Sequence, residues 1–354
     1  MTETIRLATR GSDLALRQAR TVADALESRR RSVELVEVET TGDQVRDELI
    51  HRLGKTGAFV RSLDEKVIEG DVDAAVHSMK DMPTEFPDDL IVAGVPERAA
   101  PGDVLVTPDG LTLGELPEGA TVGTSSLRRQ AQLLTARPDL DVKPLRGNVD
   151  TRVEKLLAPS LQAEHERRME AEEDEENGDT YSRTVDEWFD DLTEIERQAL
   201  GREDDTAFDA IVLAEAGLAR MGLLDKIEYE RLPASFVSAP GQGAIAVTAL
   251  DGEVAQTLHH ELDHPRTRVE TTVERTVLGT LGGGCVAPIG VHAIIQGEYV
   301  HTTVRVLSQD GTEEISTTRD LPVERHPEAA RKLANELADE GAAELVQQAR
   351  KEAP

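Results

Sequence analysis

The sequence predicts an α/β fold that is divided into two or three parts. Short apolar runs of strand length alternate with helical patterns along most of the chain. Several of these runs end in a polar cluster that contains glycine, proline or a hydroxyl residue, as strand ends do. The length of 354 residues is sufficient for two or three domains with separate cores.

The composition restricts the partners and the location of the protein. The formal net charge of -30 disfavours nucleic acid or an anionic membrane as a partner, and it predicts a halophilic protein. One cysteine excludes an internal disulfide, and no apolar run approaches the length of a membrane span, so we expect a cytoplasmic location. We further expect a monomer without a metal site.

The first part of the chain has a βαβ opening. We predict a strand from Ile5 to Ala8, a helix from Leu14 to about Arg29 and a strand from Val33 to Val38. Ser12 or Asp13 suits the N-cap of the helix, because its side-chain oxygen can accept a bond from a free backbone N–H.

A segment that contains two glycines, residues 53–59, precedes a helix predicted from Val60 to Glu69. With Lys55 and Phe59, the segment is suited to form a mobile lid over an anionic ligand; an ordinary surface loop is the alternative. A P-loop is rejected, because the segment lacks the first glycine of that motif.

The stretch from Ala74 to Pro83 is the centre of the predicted chemistry. Its apolar start, Ala74 to Val76, changes within two residues to a polar cluster that includes Lys80 and Asp81. Because ligands of open α/β sheets bind at the carboxyl ends of strands, both side chains are expected at a ligand site. Asp81 is the candidate catalytic carboxylate, and a solvated strand-end turn is the alternative.

The remaining elements predict two lobes joined by two crossovers, followed by a third unit. The crossovers, residues 96–102 and 240–244, flank a middle unit, which implies a ligand cleft between the lobes. The further strands are predicted at residues 90–95, 121–123, 142–145, 208–214, 245–248, 291–295, 300–307 and 314–320. The further helices are predicted up to about residue 136, around Arg152, and at residues 217–224, 267–278 and about 327–350.

Three strand ends share one pattern, in which an arginine and a small or hydroxyl residue precede a helix. A helix N-terminus favours an anion, and guanidinium groups match carboxylates and phosphates in shape. The ligand is therefore predicted to be a polyanion, and surface ion pairs are the alternative in so acidic a protein. The arginines concerned are Arg10, Arg128, Arg129, Arg146 and Arg152.

Residues 158–206 differ from the rest of the chain, because they hold 18 acidic residues and five arginines. The run from Glu170 to Glu176 is typical of a solvated or disordered excursion. Apolar residues from Tyr181 to Ile195 could nevertheless form one short amphipathic helix. We interpret the segment as a partly ordered insertion outside the chemistry.

Cys285 follows three glycines in the turn formed by residues 281–288. The glycines leave its thiol open to close approach, and a thiolate is a strong nucleophile. A small buried hydrophobic residue is the alternative interpretation of a lone cysteine.

Four motifs stand in series along the chain. They are His77-Ser78-Met79-Lys80-Asp81, Gly123-Thr124-Ser125-Ser126-Leu127-Arg128-Arg129-Gln130, Leu145-Arg146-Gly147-Asn148-Val149 with Arg152, and Gly283-Gly284-Cys285 with Pro288. Together they resemble the porphobilinogen deaminase family, also called the hydroxymethylbilane synthases. The resemblance covers nearly the whole chain apart from residues 158–206.

The resemblance implies three domains, of which the first two are similar to type II periplasmic binding proteins. The third is a small α+β domain with a three-stranded antiparallel sheet. The implied bounds are residues 1–98 with 242–262 for the first domain, 102–238 for the second and 263–354 for the third.

The resemblance also implies a transferase of tetrapyrrole biosynthesis. Four porphobilinogen molecules lose ammonia and condense on a dipyrromethane cofactor that a thioether joins to Cys285. Hydrolysis then releases the linear tetrapyrrole hydroxymethylbilane. Asp81 would stabilise the positive charge that develops on a pyrrole nitrogen and assist proton transfer.

The resemblance assigns further contacts residue by residue. Cofactor contacts fall on Lys80, Asp81, Ser126, Arg128 and Arg129. Substrate contacts fall on Arg10, Ser12, Lys55, Phe59, Arg146, Arg152, Arg220 and Gln242. Family lids usually carry a lysine where this sequence has Thr56, and Lys55 stands one position earlier.

Two other classes of function share parts of this pattern. A bilobal binding module would capture an anionic ligand with the same cleft and arginines, but it would not need Asp81 or a reactive Cys285. A regulatory ligand-sensing domain is disfavoured, because the sequence has no helix-turn-helix pattern and no basic patch.

Overall fold

The computed structural model describes residues 3–39, 58–173, 181–202, 206–284 and 287–352. Lys55, Thr56 and Cys285 lie outside the described residues, as does the side chain of Phe59. The strands are β1 Glu3–Thr9, β2 Arg31–Glu37, β3 Ala74–Ser78, β4 Leu90–Gly94, β5 Asp103–Val106, β6 Thr121–Gly123, β7 Asp141–Lys143, β8 Ala210–Ala214, β9 Tyr229–Arg231, β10 Ile245–Leu250, β11 Ile289–Gln296, β12 Tyr299–Leu307 and β13 Glu314–Pro322. The helices are α1 Asp13–Leu26, α2 Ala58–Ile68, α3 Leu127–Ala136, α4 Val149–Glu173, α5 Val185–Asp191, α6 Glu194–Leu200, α7 Glu215–Met221, α8 Glu253–Leu262, α9 Pro265–Thr280, α10 His326–Leu337 and α11 Ala343–Glu352.

The first sheet has the strand order β2-β1-β3-β10-β4. Strand β1 is parallel to β2 and β3, whereas β10 returns from far along the chain and runs antiparallel to β3 and β4. Leu7, Ala74 and Val247 are buried completely in its core, which α1 and α8 help to cover. Because β3 is the central strand, its carboxyl end is fixed by neighbours on both sides.

The second sheet has the order β7-β6-β8-β5-β9. Strand β6 is parallel to β7 and β8, and β5 is antiparallel to β8 and β9. Helices α3 and α4 follow the carboxyl ends of β6 and β7. Arginines that start these helices therefore lie along one edge of the sheet.

The third sheet is an antiparallel meander, β11-β12-β13. It packs on α9, α10 and α11 through a core that includes Val277, Val304 and Leu333. The predicted α/β class with a small three-stranded antiparallel sheet is thereby confirmed.

The structure corrects several predicted elements. Lys80 and Asp81 lie on a short 3-10 helix, Met79–Asp81, and not on an irregular loop. The predicted last helix is two helices, because Gly341 has a φ of 106° between them. Helix α8 was not predicted.

The acidic segment also differs from its prediction. Helix α4 continues through residue 158 as far as Glu173, and two helices, α5 and α6, replace the single predicted one. Thr184 and Thr193 each begin one of them with a capping box, which explains the break. Ile195 of α6 is buried in the same core cluster as Val153 of α4.

Candidate active site

The carboxyl end of β3 delivers two charged side chains to the site. Met79 is buried, and its backbone N–H donates to the carbonyl of Ala244 at 3.1 Å, which fixes the start of the 3-10 helix. On that helix Lys80 is half-buried and Asp81 is exposed. The turn thus holds an accessible carboxylate beside a partly desolvated ammonium group.

A buried carboxylate, Asp103 at the start of β5, organises the cationic side of the site. Its Oδ1 accepts from Nη2 of Arg129 at 2.8 Å and from Nε at 3.1 Å, and its Oδ2 lies 2.8 Å from Nη1 of Arg128. Burial alone would raise the pKa of Asp103. The two guanidinium groups lower this pKa by a larger amount, so it lies well below the usual value. Asp103 therefore remains ionised and keeps both arginines in place.

Arg128 and Arg129 differ in the hydrogen-bond donors that remain available to a ligand. All three nitrogens of Arg129 are bonded inside the protein, because Nη1 donates to the carbonyl of Val212 at 2.9 Å in addition to the bonds to Asp103. Arg128 donates through Nη1 to the carbonyl of Val237 at 2.7 Å. Its buried Nε has no hydrogen-bond partner among the described residues. A buried donor of this kind is costly unless a ligand satisfies it.

The charges of three strand ends interact with one another. Burial lowers the pKa of Lys80, and Asp81 partly offsets this effect. Burial also lowers the pKa of Arg152 to about 10; Arg129 and Arg146 add to the shift and Asp81 opposes it. Arg152 therefore stays protonated at neutral pH. The structure brings together the predicted site residues that follow β3, β6 and β7.

Gln242 and Arg220 lie beside the second crossover. The side-chain amide of Gln242 is buried and donates to the carbonyl of Pro101 at 2.6 Å and to Asp103 at 2.9 Å. Arg220 donates through Nη2 to the carbonyl of Gly243 at 2.7 Å, and burial lowers its pKa. Both side chains support the crossover in this structure.

The other predicted contacts lie at helix starts. Ser12 is the N-cap of α1 and accepts from the N–H of Ala15 at 3.4 Å, next to the half-buried Arg10. Ser126 occupies the N-cap position of α3, but its hydroxyl makes no capping bond. Arg146 is half-buried and precedes α4.

The glycine turn after α9 leaves no room for larger residues at one position. A Cβ at Gly283 would lie 2.6 Å from Cδ1 of both Leu278 and Ile289. Gly282 has a φ of 66°, which favours glycine. This turn fixes the path of the chain directly before Cys285. The unused donor of Arg128 and the cationic cluster fit a bound group that carries carboxylates.

Sequence reasoning missed three residues that shape the site, namely Arg98, Asp103 and Glu274. Asp103 directly precedes the buried run Val104–Val106, and a carboxylate at the head of a buried strand requires cationic partners. That signal was present in the sequence. Arg98 and Glu274 bond each other across 176 positions, which no local pattern predicts.

Two absences apply to the residues that the structure describes. No group of three or more histidine, cysteine, aspartate or glutamate side chains among them could hold a metal ion. Among the same residues, none of the helices combines the length and apolar character that crossing a membrane requires.

Comparison with known proteins identifies the family. Residues 5–164 and 196–257 match the model described as porphobilinogen deaminase, dipyrromethane cofactor binding domain. Residues 269–340 match the model of the porphobilinogen deaminase C-terminal domain. Residues 165–195, which lie between the two matched parts of the first model, fall inside the acidic segment.

Curated relatives agree with the family models. A probable porphobilinogen deaminase of Halobacterium salinarum is 55% identical, with 99% of each chain covered. A porphobilinogen deaminase of Desulforudis audaxviator is 36% identical, again with 99% of each chain covered. Among solved structures, an ABC transporter from Parabacteroides distasonis covers 98% of this chain and 95% of its own, with a TM-score of 0.35 and 11% identity. The chain belongs to the porphobilinogen deaminase family.

Proposed function

We propose that Asp81 and the surrounding cations carry out hydroxymethylbilane synthesis in the cleft between the first two sheets. Overall, four porphobilinogen molecules and one water give hydroxymethylbilane and four molecules of ammonia. The observation that supports this site most directly is that Asp81 interacts electrostatically with Lys80 and with Arg152, because Asp81 and Lys80 follow a strand of the first sheet whereas Arg152 follows a strand of the second.

The cationic residues bind the carboxylates of substrate and product. Porphobilinogen carries an acetate and a propionate, so each added unit brings two negative charges. Arg128, Arg146 and Arg152 offer guanidinium groups that can bind carboxylates through two parallel bonds. The protein as a whole is strongly acidic, so this local cluster is what makes the cleft attractive to an anionic substrate.

Several predicted residues support these contacts indirectly. Arg129 and Gln242 hold Asp103, which in turn orients Arg128. Arg220 steadies the second crossover. Arg10, Ser12 and Ser126 stand at helix starts, where backbone N–H groups also favour a carboxylate. Lys55 and Phe59 are proposed to cover the substrate as a lid.

Asp81 acts on the pyrrole nitrogen of the reacting ring. When ammonia leaves and the new carbon–carbon bond forms, positive charge develops on that nitrogen. An exposed carboxylate placed against the N–H stabilises this charge, and it can accept and return a proton. Lys80 and Arg152 place positive charge beside Asp81, so the carboxylate is held in a cationic surrounding that also attracts the carboxylates of the substrate.

The cofactor is dipyrromethane, and when bound it supplies the nucleophilic pyrrole carbon for the first condensation. We assign its thioether to Cys285, the only cysteine of the chain. The proposed domains are residues 1–98 with 242–262, 102–238 and 263–354, and the proposed state in solution is a monomer. Light scattering of the purified protein tests the last point.

Intact-mass measurement tests the proposal. The purified chain should carry the mass of one dipyrromethane, and its denatured form should resist alkylation because its single thiol is occupied. Cys285→Ser should lose both the extra mass and the turnover. An active chain without the extra mass, or one whose thiol is freely alkylated, contradicts the assignment. Ser78→Ala serves as a control, which should keep the mass excess.

A further inference from the structure

Helix α9 holds the first sheet and its loops through two arginines. Nη1 of Arg275 lies 3.3 Å from the carbonyl oxygens of both Met79 and Met82, and its Nη2 donates to the carbonyl of Pro83. Two turns earlier, Arg268 donates to the carbonyls of Val92 at 3.1 Å and Ala93 at 3.2 Å. Both arginines donate to backbone carbonyls of the first sheet or its loops, and Arg268 in addition pairs with Asp263.

Arg275 binds the segment from which Asp81 projects. Its three carbonyl partners lie on both sides of Lys80 and Asp81, so one guanidinium spans the whole turn. Its Cζ also lies 5.7 Å from the centre of the Phe86 ring, which limits its movement. The planar group has fixed donor directions, so it holds the carbonyls in one arrangement.

The same helix leads to the cofactor residue. It ends at Thr280, and the glycine turn then reaches Cys285. Glu274, next to Arg275, accepts from the N–H of Gly241 at 2.7 Å and from that of Ala293 at 2.9 Å, and these bonds fix the helix against the second crossover and β11. A rigid helix thereby connects the turn of Asp81 to the start of the cofactor turn.

We infer that Arg275 is a positioning residue, which holds the turn that carries Asp81 in the arrangement that the reaction needs. This inference rests on the proposed role of Asp81. A misplacement of about 1 Å can reduce a rate by about 100-fold even when no reacting atom is changed. Arg275 touches neither substrate nor reacting atoms in this scheme, so its loss should affect turnover more than binding.

The comparison of Arg275→Met with Arg268→Met tests the inference. We expect Arg275→Met to lower kcat by roughly 10- to 100-fold while KM changes by less than about threefold. Arg268→Met removes carbonyl contacts of α9 together with the ion pair to Asp263, so it should cost at least as much thermal stability and still leave kcat within about threefold. Equal kcat losses in the two variants would show that α9 merely docks and would overturn the inference.

Two further measurements separate positioning from misfolding. Arg275→Lys restores one donor, so it should recover part of kcat, and no recovery argues against positioning. Amide hydrogen exchange should speed up at residues 79–82 in Arg275→Met and stay slow there in Arg268→Met. Unchanged exchange in the turn contradicts the inference without any use of activity.

A double variant distinguishes this inference from the role of Asp81 itself. If Arg275 acts through Asp81, Asp81→Asn with Arg275→Met should be no slower than Asp81→Asn alone. If the two losses multiply instead, Arg275 acts by another route and the inference fails. If Asp81→Asn alone turns over normally, the proposed function of Asp81 fails first, which is a separate result.

Discussion

Glu274 accepts two hydrogen bonds from Arg98, at 2.8 Å from Nη1 to Oε1 and 2.9 Å from Nη2 to Oε2. Arg98 lies in the first crossover and also donates to the carbonyl of Gln242 in the second, whereas Glu274 lies on α9. The pair therefore connects both crossovers to the third part of the chain. Its carboxylate is completely buried, so the pair is shielded from water and salt.

Removing the charge of Glu274 should destabilise the protein strongly. Glu274→Gln leaves the buried Arg98 without its counter-ion, and such a loss costs about 3–5 kcal/mol. The free energy of unfolding by urea at constant salt measures the effect. Glu336→Gln is a suitable control, because Glu336 forms an exposed pair with Lys332, and it should change little. A loss no larger than that of the control contradicts the linking role of the pair.

Two buried carboxylates predict how stability depends on acid. Burial alone would raise the pKa of Glu274, but its interactions, above all with Arg98, lower this pKa by a larger amount. Arg128 and Arg129 lower the pKa of the buried Asp103 in the same way. Both folded-state pKa values thus lie below the ordinary values of 4.5 and 3.8. The unfolded chain then binds more protons, so the stability present at neutral pH is lost as pH falls past these values. Urea unfolding at stepped pH should give this acid branch, with a smaller slope in Asp103→Asn; an unchanged slope would exclude Asp103 as a contributor.

Local sequence signals predicted much of the fold. The apolar run before Lys80 placed β3, and Ser12 was correctly considered as a helix N-cap. The acidic segment was predicted to contain one short helix and has two, although Thr184 and Glu187 have the spacing of a capping box. The hydrophobic pattern of this segment does not show where one helix ends and the next begins.

Long-range contacts in the site were beyond the reach of such signals. Arg275 and Met79 are 196 positions apart, and the local sequence around either residue does not predict their contact. The strand-end arginines were predictable as a group, because parallel strands end at one edge of a sheet. Which of these arginines can bind a ligand was not predictable, because it depends on Asp103. Asp103 binds Arg129, whereas the Nε donor of Arg128 has no partner among the described residues.

Asp81→Asn should keep the fold and the cofactor but lose most turnover. The amide is nearly the same size, yet it cannot stabilise a cationic ring by charge, so we expect kcat to fall by about 100- to 1000-fold. Steady-state kinetics and intact mass check the two halves of this prediction. Asp88→Asn removes an exposed carboxylate from the following loop and should be neutral. Near-normal rates in Asp81→Asn would refute the assigned role.

Arg146→Ala should stall elongation at particular stages. The negative charge in the cleft grows with every added unit, so losing one half-buried cation hinders late additions more than early ones. We expect intact-mass spectra during turnover to accumulate protein with some but not all units attached. Arg137→Ala removes an arginine of the same sheet region that pairs with Asp139, and it should give the normal distribution. Arg128→Ala should stall as well, with an added loss of stability because Asp103 loses a partner. Identical distributions for Arg146→Ala and Arg137→Ala would place Arg146 outside the site.

The acidic surface should make folding depend on salt. With a net charge of -30, repulsion acts over about 10 Å at roughly 0.1 M salt but over only about 3 Å at roughly 1 M. We therefore expect unfolding, followed by circular dichroism, when the protein is transferred to low salt. Full stability there would count against a halophilic protein.

Helix α4 offers a matched test of this salt effect. It ends with acidic residues, where both mutual repulsion and the helix dipole disfavour negative charge. Replacing Glu170, Glu172 and Glu173 by glutamine should therefore lower the salt concentration needed for folding. The acidic segment is outside the proposed chemistry, so kcat in high salt should stay unchanged. A higher salt requirement in the triple variant would mean that these carboxylates stabilise the fold through bound cations, and that screening of repulsion is not their main effect.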